Sequence, residues 1–370
     1  MKILFIASVY RHLTAFHIPY IQYFQKHGYE VYAAGTGEEN RKNLEKINVK
    51  CIDIPFSRNP FNYKNMVAYK RLQQLFVKEQ FDLVHVHTPI AALLTRAAFR
   101  KNKQGKIIYT AHGFHFFAGA PKLNWLIYYP AEKLAAKWTD HLITINEEDF
   151  KNAQKLLQKE KVSLVHGVGV ELSEHSLEEE EKQQLRATFG LAHDVVVIAY
   201  IAELNDNKNH QFLLRNWRQL KLNNPKIELL IIGNGDKESE LKHFVAKEQL
   251  SGIHFLGFRE DVPELLQITD IVSLLSLREG LPKSIMEAMV NNIPCVVTNT
   301  RGLKDLIKSN ENGFVVNHGD DQALVSAFTL LIKEGTLRIQ MGQKAKQSVE
   351  PYLLDKVLQE YISIYECLLK

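Results

Sequence analysis

Two glutamates, Glu279 and Glu287, are the residues whose spacing most clearly indicates chemistry. Seven residues separate them, an apolar run at 271–275 precedes them, and a second apolar run at 293–298 follows them. This order predicts a strand, a polar turn, a helix and another strand, with Glu279 at the carboxyl edge of a parallel sheet, where such sheets bind ligands. Carboxylates at that edge can accept hydrogen bonds from sugar or ribose hydroxyls, although solvated surface charges would also satisfy the pattern.

The turn after Glu279 suits an anion. Gly280 frees the backbone at the bend, Pro282 is compatible with a first helical turn, and Ser284 can cap the helix. Exposed N–H groups and the positive end of the helix dipole then favour a phosphate. The segment therefore predicts a site for an anion beside a polyol.

Lys208 is a candidate cation for that phosphate. It lies in the polar loop 202–210, between a predicted strand at 195–201 and a predicted helix at 211–219. A lysine at this junction lies at the same sheet edge as Glu279 and would present a point charge to a diphosphate. An ordinary exposed lysine is the alternative for this loop read alone.

His112 is the corresponding candidate in the first half of the chain. It ends a predicted strand at 106–111, and Gly113 bends the chain after it. An imidazole at this edge can orient a substrate hydroxyl or exchange a proton with it.

His85 and His87 share one face of another predicted strand, which raises the question of a metal site completed by His112 or His115. No carboxylate or cysteine accompanies these histidines at ligand spacing. We therefore expect packing or polar-network roles for His85 and His87, and no metal site.

The composition indicates a two-domain α/β enzyme from a reducing compartment. The chain has 370 residues, more than one ordinary core accommodates, and its three cysteines match no metal or disulfide spacing. Residues 1–9 indicate a first buried strand rather than a signal peptide. No apolar run reaches the roughly 18–20 residues that a membrane span needs.

The two halves of the chain carry opposite charge. Residues 1–165 hold 24 Lys and Arg against 13 Asp and Glu, a net of +11, whereas residues 166–370 hold 22 against 29, a net of −7. The basic half has no RNA-binding signature, so nucleic acid is not a predicted partner. An anionic membrane surface or a phosphate-bearing acceptor explains the charge equally well. Aromatic segments at 56–64 and 114–129 fit either membrane contact or core packing.

Strands and helices alternate in two successive sets, and each set predicts a doubly wound parallel sheet. The predicted strands of the first set are 2–8, 30–34, 50–54, 82–87, 107–111, 141–145 and 162–166, with helices at 16–27, 63–79, 89–100, 123–137 and 147–157. The predicted strands of the second set are 195–201, 228–232, 253–256, 271–275, 295–298 and 313–316. The charged segment 171–189 indicates a linker and a first helix, and a helix at about 352–369 can finish the second domain or return to the first.

Motifs for other cofactors are absent from the sequence. No G-x-G-x-x-G follows the first strand, and Gly233-Asn234-Gly235 is only a G-x-G. Walker A, H-E-x-x-H and D-x-D motifs are also absent, so nothing obvious holds a divalent metal to a diphosphate. We expect the protein to neutralise phosphate with its own groups and to need no cofactor.

Together these segments resemble glycosyltransferase family 4, retaining enzymes of GT-B architecture with two facing Rossmann-like domains and a cleft between them. The resemblance is most specific from Glu279 to Glu287, with the Gly-Leu-Pro interior, and it extends to 110–116, 203–209, 255–257 and 312–315. The variant His-Gly-Phe-His-Phe at 112–116 resembles the bacterial capsule and exopolysaccharide branch. The resemblance implies an acceptor domain at 1–168, to which a helix at 352–370 can return, and a nucleotide-sugar domain at 169–351.

The resemblance also implies roles for the matching residues. Glu279 contacts the donor sugar near its 3- and 4-hydroxyls, and Glu287 binds the ribose hydroxyls. Lys208 binds the diphosphate and stabilises the charge that grows on it, assisted by the backbone N–H groups of Gly280 and Leu281.

Further roles follow from the same resemblance. His112 lies by the reacting centre of the donor sugar, and the backbone at Phe258 and Arg259 reads the base, usually uracil. Pro282 and Ser284 complete the donor-binding turn. Retention is then attributed to front-face attack, with the leaving diphosphate taking the acceptor proton.

Two departures from the family pattern concern charge and the first loop. Glu203 occupies a position where many relatives carry an arginine for the diphosphate, so it must point away or be paired. The loop after the first strand, 8–14, lacks the glycines of many relatives. Arg11, His12 and His17 are therefore predicted to contact the acceptor through their side chains.

The sequence thus predicts a metal-independent, retaining glycosyltransferase that moves a hexosyl or N-acetylhexosaminyl group from a UDP-sugar. The predicted acceptor is a hydroxyl of a lipid-linked glycan or oligosaccharide, in the cytoplasm or at the inner face of the membrane. A nucleotide-sugar 2-epimerase of the same shape is one alternative. A catalytically silent GT-B partner of another transferase is the other.

Overall fold

The computed structural model describes residues 1–172 and 176–370 and divides the chain into two compact units. The first unit is Met1–Val168 together with Asp355–Lys370, and the second is Gly169–Leu354.

The elements are numbered along the chain. The strands are β1 (Lys2–Ile6), β2 (Glu30–Gly35), β3 (Lys50–Asp53), β4 (Leu83–Val86), β5 (Lys106–Ala111), β6 (His141–Thr144), β7 (Val162–Leu164), β8 (Val196–Ile201), β9 (Ile227–Ile232), β10 (Ile253–Gly257), β11 (Ile271–Leu274), β12 (Cys295–Thr298) and β13 (Gly313–Val316). The helices are α1 (Tyr10–Phe16), α2 (Ile18–Lys26), α3 (Glu38–Lys46), α4 (Lys64–Lys78), α5 (Pro89–Phe99), α6 (Lys122–Ala136), α7 (Glu147–Ala153), α8 (Glu179–Thr188), α9 (His210–Asn223), α10 (Glu238–Lys247), α11 (Val262–Gln267), α12 (Lys283–Val290), α13 (Leu303–Leu306), α14 (Asp321–Lys333), α15 (Gly335–Ser348) and α16 (Leu354–Leu369).

Each sheet reverses its strand order beside its first strand. The order is β3-β2-β1-β4-β5-β6-β7 in the first unit and β10-β9-β8-β11-β12-β13 in the second. Neighbouring strands pair in parallel, from β1 with β2 and β4 to β8 with β9 and β11. The boundary between β1 and β4, and that between β8 and β11, is therefore the switch point where open α/β sheets bind ligands.

Most strands are apolar along their length because helices cover the faces of each sheet. The edge strand β3 is an exception, since its first and last residues, Lys50 and Asp53, are exposed. In β1, Ile3, Leu4, Phe5 and Ile6 are all fully buried. Leu4 and Ile6 pack into one core cluster, whereas Ile3 and Phe5 pack into another. Alternate residues of one strand thus serve opposite faces, as the period of two requires.

The C-terminal helix α16 packs on the first unit. Tyr361 lies edge-on against Tyr20 and Tyr365 against Phe24, with ring centroids 4.9 Å apart in both pairs. The Tyr365 hydroxyl also lies 2.8 Å from Nδ1 of the buried His85. Burial of these aromatic rings accounts for the return of the chain end, which the apolar pattern of the helix alone leaves open.

The predicted fold class of two Rossmann-like parallel sheets is confirmed. The pattern does not predict α1, which replaces the loop expected at 8–14, or α3, which buries only Leu44 and so lacks an apolar period. The predicted linker and helix at 171–189 contains α8, while residues 173–175 lie outside the described residues. No helix in the described ranges is long and apolar enough to cross a membrane.

Candidate active site

Lys208 and Glu279 meet at the switch point of the second sheet. Lys208 ends a 3-10 helix after β8, and Glu279 follows β11. The Nζ atom of Lys208 lies 2.6 Å from Oε1 of Glu279, and their side chains are 22% and 10% exposed. The structure therefore brings these two predicted site residues together as a largely desolvated ion pair.

Asparagines of the β8–α9 loop hold it against the β11–α12 loop. The side-chain amide of Asn207 donates to the Arg278 carbonyl at 2.9 Å, and that of Asn209 donates to the Leu275 carbonyl at 3.1 Å. Asn209 has φ 51° and ψ 41°, a left-handed conformation that asparagine tolerates better than most residues. The polar run 205–209 was visible in the sequence, but its bracing role was not.

The side chain of Tyr200 forms hydrogen bonds with both of these loops. Its hydroxyl accepts a hydrogen bond from the Leu275 N–H at 2.7 Å and donates to the Lys208 carbonyl. Burial raises the pKa of Tyr200 above its ordinary value, so the hydroxyl stays protonated and can keep both roles. Because β8 reads simply as an apolar strand, sequence reasoning missed this residue.

The loop after β12 supports the backbone of the β11–α12 turn. Arg301 is 3% exposed, and its Nε donates to the Glu279 carbonyl at 3.0 Å. Gly302 lies so close to this turn that a Cβ atom would fall 2.0 Å from the Gly280 carbonyl oxygen. The close approach explains glycine at position 302 and adds two residues that sequence reasoning missed.

The start of α12 differs in one respect from the prediction. The helix begins at Lys283, Pro282 precedes it as the N-cap residue, and no side chain caps it. The expected cap by Ser284 is therefore wrong, because Ser284 is already the second helical residue. The first turn contains no acidic residue, and its N–H groups lie at the positive end of the helix dipole.

Glu287 lies one turn further along α12. Its carboxylate is 3.5 Å from Nζ of Lys283. Desolvation raises the pKa of Glu287 above its usual range, and the nearby lysine partly offsets the effect.

Phe258 and Arg259 follow β10 at the same carboxyl edge. Phe258 is 59% exposed, whereas Arg259 pairs with Asp261 through Nε at 2.8 Å and through Nη2 at 2.5 Å. The Arg259 side chain is thus committed to a neighbour, which is compatible with the prediction that only its backbone contacts a base. Glu203 is exposed, which favours the alternative that it points away.

The G-x-G after β9 has a structural explanation. A Cβ at Gly233 would lie 2.1 Å from the Ala202 carbonyl, and one at Gly235 would lie 2.2 Å from the Leu204 carbonyl. These glycines let the end of β9 approach the loop that carries Lys208.

Four histidines converge at the switch point of the first sheet. His12 lies in α1, His17 follows it, His87 follows β4 and His112 follows β5. One ring nitrogen of each lies within 4.8 Å of those of the others. We call these four residues the histidine cluster. It joins residues for which the sequence predicted separate roles.

The rings of the histidine cluster touch one another. Nε2 of His112 lies 3.3 Å from Nε2 of His12 and 3.1 Å from Nδ1 of His87, and His17 stacks on His87 with centroids 3.9 Å apart. Burial lowers the pKa of His12 to about 4 and lowers the pKa of the other three well below the usual range. The four imidazoles are therefore neutral near pH 7.

The predicted acceptor residues differ in exposure. Arg11 is exposed and His12 is half-buried, whereas His17 is only 1% exposed. Helix α1 causes this difference, because it turns His17 toward the sheet. The predicted direct contact of His17 with an acceptor is at odds with this burial, while Arg11 and His12 retain access to solvent.

The backbone after His87 is held in an unusual conformation. Thr88 has φ 59°, which a β-branched residue rarely adopts and which costs about 1–3 kcal/mol. Ser8 holds it in place, because its N–H donates to Oγ1 of Thr88 at 2.9 Å and the two hydroxyl oxygens are also 2.9 Å apart. This bend directs His87 into the cluster.

His85 and His115 lie outside the cluster. His85 is fully buried and uses both ring nitrogens, which lie 2.8 Å from Oγ1 of Thr110 and 2.8 Å from the Tyr365 hydroxyl. His115 stacks on Tyr128 with centroids 4.5 Å apart. The expected polar-network role of His85 matches these contacts.

The aromatic segments of the first unit divide between core and surface. Phe114 and Phe116 are 2% and 0% exposed, whereas Phe61 and Tyr63 are 91% and 71% exposed. Of the two explanations that the sequence left open, core packing holds for the first pair and not for the second.

Comparison with known proteins covers both units. A family described as "Glycosyl transferase 4-like" matches residues 2–146, and one described as "Glycosyl transferases group 1" matches residues 181–348. EpsD of Bacillus subtilis (strain 168), named as a glycosyltransferase, is 36% identical over 369 residues, which cover 98% of this chain and 96% of EpsD. The UDP-Gal:alpha-D-GlcNAc-diphosphoundecaprenol alpha-1,3-galactosyltransferase of Escherichia coli is 27% identical over 324 residues, 86% of this chain and 84% of that protein.

The fold has a close counterpart among solved structures. Anabaena HepE, crystallised with UDP and glucose, superposes with a TM-score of 0.83 at 19% identity, and the match covers 100% of both chains. This likeness agrees with the two Rossmann-like sheets described above. The chain therefore belongs to glycosyltransferase family 4, with the GT-B fold, in the branch of bacterial capsule and exopolysaccharide transferases.

Proposed function

We propose that this protein transfers a hexosyl or N-acetylhexosaminyl group from a UDP-sugar to a hydroxyl of a lipid-linked glycan, with retention of configuration. The observation that carries the proposal is the Lys208–Glu279 pair at the switch point of the second sheet, with 2.6 Å between its charged atoms. A sugar diphosphate needs a cation for its phosphates and an acceptor of hydrogen bonds for its sugar hydroxyls. The pair supplies both groups side by side.

Donor binding replaces the partner of Lys208. The diphosphate attracts its ammonium group, and Glu279 then turns its carboxylate to the sugar hydroxyls. The turn keeps its shape during this exchange, because Arg301 and Asn207 donate to carbonyl groups of its backbone. The N-terminus of α12 adds N–H donors for the phosphates, and Glu287 accepts from the ribose hydroxyls.

The proposed reaction needs no divalent metal at the diphosphate. The sequence has no D-x-D motif, and Lys208 carries the positive charge required where the leaving diphosphate gains negative charge. The role that the resemblance implies for His112, a contact with the donor sugar near the reacting centre, is part of the same proposal.

The relatives support the choice of donor and acceptor. By its name, the Escherichia coli relative takes galactose from UDP-Gal to a diphosphoundecaprenol-linked sugar, and HepE was crystallised with UDP. We extend to this chain the uridine diphosphate that both names contain and the lipid-linked acceptor that the name of the Escherichia coli relative gives.

The surface of α6 supports attachment to an anionic membrane. Leu123, Leu126 and Ile127 are 62%, 73% and 48% exposed near its start, and the helix begins with the exposed Lys122. Apolar side chains beside lysines suit the interface of a bilayer with anionic head groups, and the net charge of the first half has the matching sign. We propose a cytoplasmic protein that attaches peripherally to the inner membrane face.

The test is transfer by the purified full-length protein from UDP-glucose, UDP-galactose, UDP-GlcNAc and UDP-GalNAc to undecaprenyl-diphosphate-linked monosaccharides. We expect one donor to give a product whose anomeric configuration, read by NMR, equals that of the donor. Activity should persist in EDTA. An inverted product would refute retention, and loss of activity in EDTA would refute metal independence. Conversion of a UDP-sugar without any acceptor would identify an epimerase, and UDP binding with no turnover in any combination would indicate a silent partner protein.

A further inference from the structure

The histidine cluster contains more hydrogen-bonding capacity than its members can satisfy among themselves. A neutral imidazole has one N–H donor and one nitrogen lone pair. Nε2 of His112 faces both Nε2 of His12 and Nδ1 of His87, yet a single nitrogen can donate to one or accept from one. Whichever tautomer His112 adopts, its Nε2 can make a hydrogen bond to only one of these two nitrogens, and the other close contact is not a hydrogen bond.

Two further ring nitrogens of the cluster lack partners. Nε2 of His17 and Nε2 of His87 are buried and have no hydrogen-bond partner in the described part of the chain. Buried polar atoms in folded proteins are nearly always satisfied. These two nitrogens belong to rings that are 1% and 0% exposed and that stack on each other.

A fifth buried histidine beside the cluster has both of its ring nitrogens satisfied. His85 is an internal comparison, because it is equally buried and lies 4.1 Å from His87 between ring centroids. Both of its nitrogens have partners, Thr110 and Tyr365. The fold therefore satisfies both nitrogens of His85, whereas His17 and His87 beside it each keep a buried nitrogen without a partner among the described residues. Buried nitrogens without a partner in the described ranges also occur at His210 in the second unit, so what sets the cluster apart is that four rings face one another.

The spacing of the cluster matches metal coordination. Tetrahedral ligands at about 2.0–2.1 Å from a metal ion lie about 3.3 Å from one another. The 3.3 Å between Nε2 of His112 and Nε2 of His12 equals this edge length, and one nitrogen of each of the four rings lies within 4.8 Å of those of the others.

We propose that His12, His17, His87 and His112 bind one late first-row transition-metal cation, of which Zn²⁺ is the most suitable probe. Imidazole nitrogen suits Zn²⁺, Cu²⁺ and Ni²⁺, whereas Mg²⁺ prefers oxygen ligands and water. The site is distinct from any metal at the diphosphate, because its ligands are neutral histidines of the first unit. His12 and His112 are half-buried and form its accessible side.

Occupation of the site has a consequence for catalysis that rests on the proposed function. A metal bound to Nε2 of His112 uses the lone pair that this ring would otherwise present to a donor sugar. Bound Zn²⁺ is therefore expected to lower transferase activity.

The test is calorimetric titration of the tag-free, full-length protein with ZnCl₂, after dialysis against a chelator. We expect one equivalent to bind, and MgCl₂ to produce no heat of binding. The unsubstituted protein should also give the intense visible absorption of tetrahedral Co²⁺ when CoCl₂ is added. Zn²⁺ should raise the melting temperature, because a ligand specific for the folded state stabilises it.

Variants assign the ligands. His12→Ala removes a half-buried ring from α1 and should weaken Zn²⁺ binding by at least about tenfold, the lower end of what disturbing a metal site costs. His141→Ala is the matched control, because His141 belongs to the same sheet but pairs with Ser163 at 2.9 Å. Absence of stoichiometric Zn²⁺ binding and of the Co²⁺ spectrum would overturn the proposal. Equal binding by the two variants would overturn it as well.

The outcomes separate this proposal from the proposed function. Zn²⁺ binding without any change in a measurable transferase activity would retain the metal site and remove His112 from the sugar contact. Normal transferase activity in a protein that does not bind Zn²⁺ would retain the function and refute the metal site.

Discussion

Replacement of Lys208 tests both the charge at the diphosphate and its pairing with Glu279. In the ligand-free protein the two charged atoms are 2.6 Å apart and the side chains are 22% and 10% exposed. Lys208→Ala therefore has two effects. It removes a cation from the diphosphate site, and it leaves an unpaired carboxylate beside the place where an anion has to bind.

The expected loss of UDP affinity is the sum of two free energies, one for each effect. A lost hydrogen bond to a charged group costs about 1.5–3 kcal/mol. Repulsion between Glu279 and the diphosphate adds about 1–2 kcal/mol for charges roughly 8–15 Å apart at an effective dielectric constant of about 20. Together, at about 2.5–5 kcal/mol, they predict a loss of UDP affinity of roughly 60- to 4,000-fold. The fall in kcat/KM should be at least about a hundredfold, the scale of losing one stabiliser of transition-state charge.

A second variant separates the two terms. UDP lacks the transferred sugar that Glu279 is proposed to contact, so Glu279→Gln added to Lys208→Ala should remove only the repulsion. We expect the double variant to bind UDP about tenfold more tightly than Lys208→Ala in isothermal titration. Lys242→Ala is the matched control, because it breaks a lysine–glutamate pair of the same length, 2.6 Å, on the surface of α10.

Two results would refute this reasoning. A Lys208→Ala protein with wild-type affinity for UDP and wild-type kcat/KM would remove Lys208 from the site. A double variant that binds UDP no more tightly than Lys208→Ala would show that Glu279 does not face the diphosphate. In either case the Lys242→Ala protein should behave like the wild type.

Three further predictions concern stability and pH. Gly302→Ala and Gly319→Ala introduce the same left-handed strain, at φ 76° and 78°, but only the Cβ at position 302 would meet backbone atoms. Gly302→Ala should therefore lower the urea midpoint of unfolding more than Gly319→Ala does, and it should abolish UDP binding. The hydrogen bond that the Nδ1–H of His166 donates to Glu360, 2.6 Å long, raises the pKa of His166. The pair therefore stabilises the fold below about pH 6.5, and this contribution disappears as pH rises through the raised pKa. His166→Ala should therefore cost up to about 1 kcal/mol at pH 5.5 and less at pH 8.5 in urea denaturation, since both side chains are about one third exposed. Burial raises the pKa of Glu287, so ionisation destabilises the fold as pH rises through that value, and Glu287→Gln should raise the unfolding midpoint at pH 7 but not at pH 4.

Much of the fold could be predicted because most of its strands are apolar along their whole length. The run 271–275 and the run 295–298 became β11 and β12 with small changes at their ends. The helix α3 could not be found in this way, since nine mostly charged residues bury a single leucine. Its position depends on tertiary context rather than on a local apolar period.

The candidate site was predictable where its residues lie close together in the sequence. Glu279, its turn and Glu287 lie within one strand-turn-helix unit, and Lys208 follows the neighbouring strand of the sheet. Residues that act through long-range contacts were not predictable. Arg301 reaches the turn from a loop 22 positions later in the chain, and such a separation leaves no local pattern.

The two sheets have the same topology at their switch points, but the groups at these points differ in charge. The second unit lies in the acidic half of the chain, so the general field disfavours an anionic donor, and binding has to depend on one desolvated lysine and a helix N-terminus within a few ångströms. The first unit is basic overall, yet the groups at its switch point are four neutral imidazoles, because burial removes their charge. Net charge therefore predicts which surfaces each half attracts, whereas burial and spacing at the switch point determine which ligand atoms it can bind. The sequence therefore identifies the histidines as separate candidates. Only the folded structure shows that the four rings meet and can act as one set of ligands.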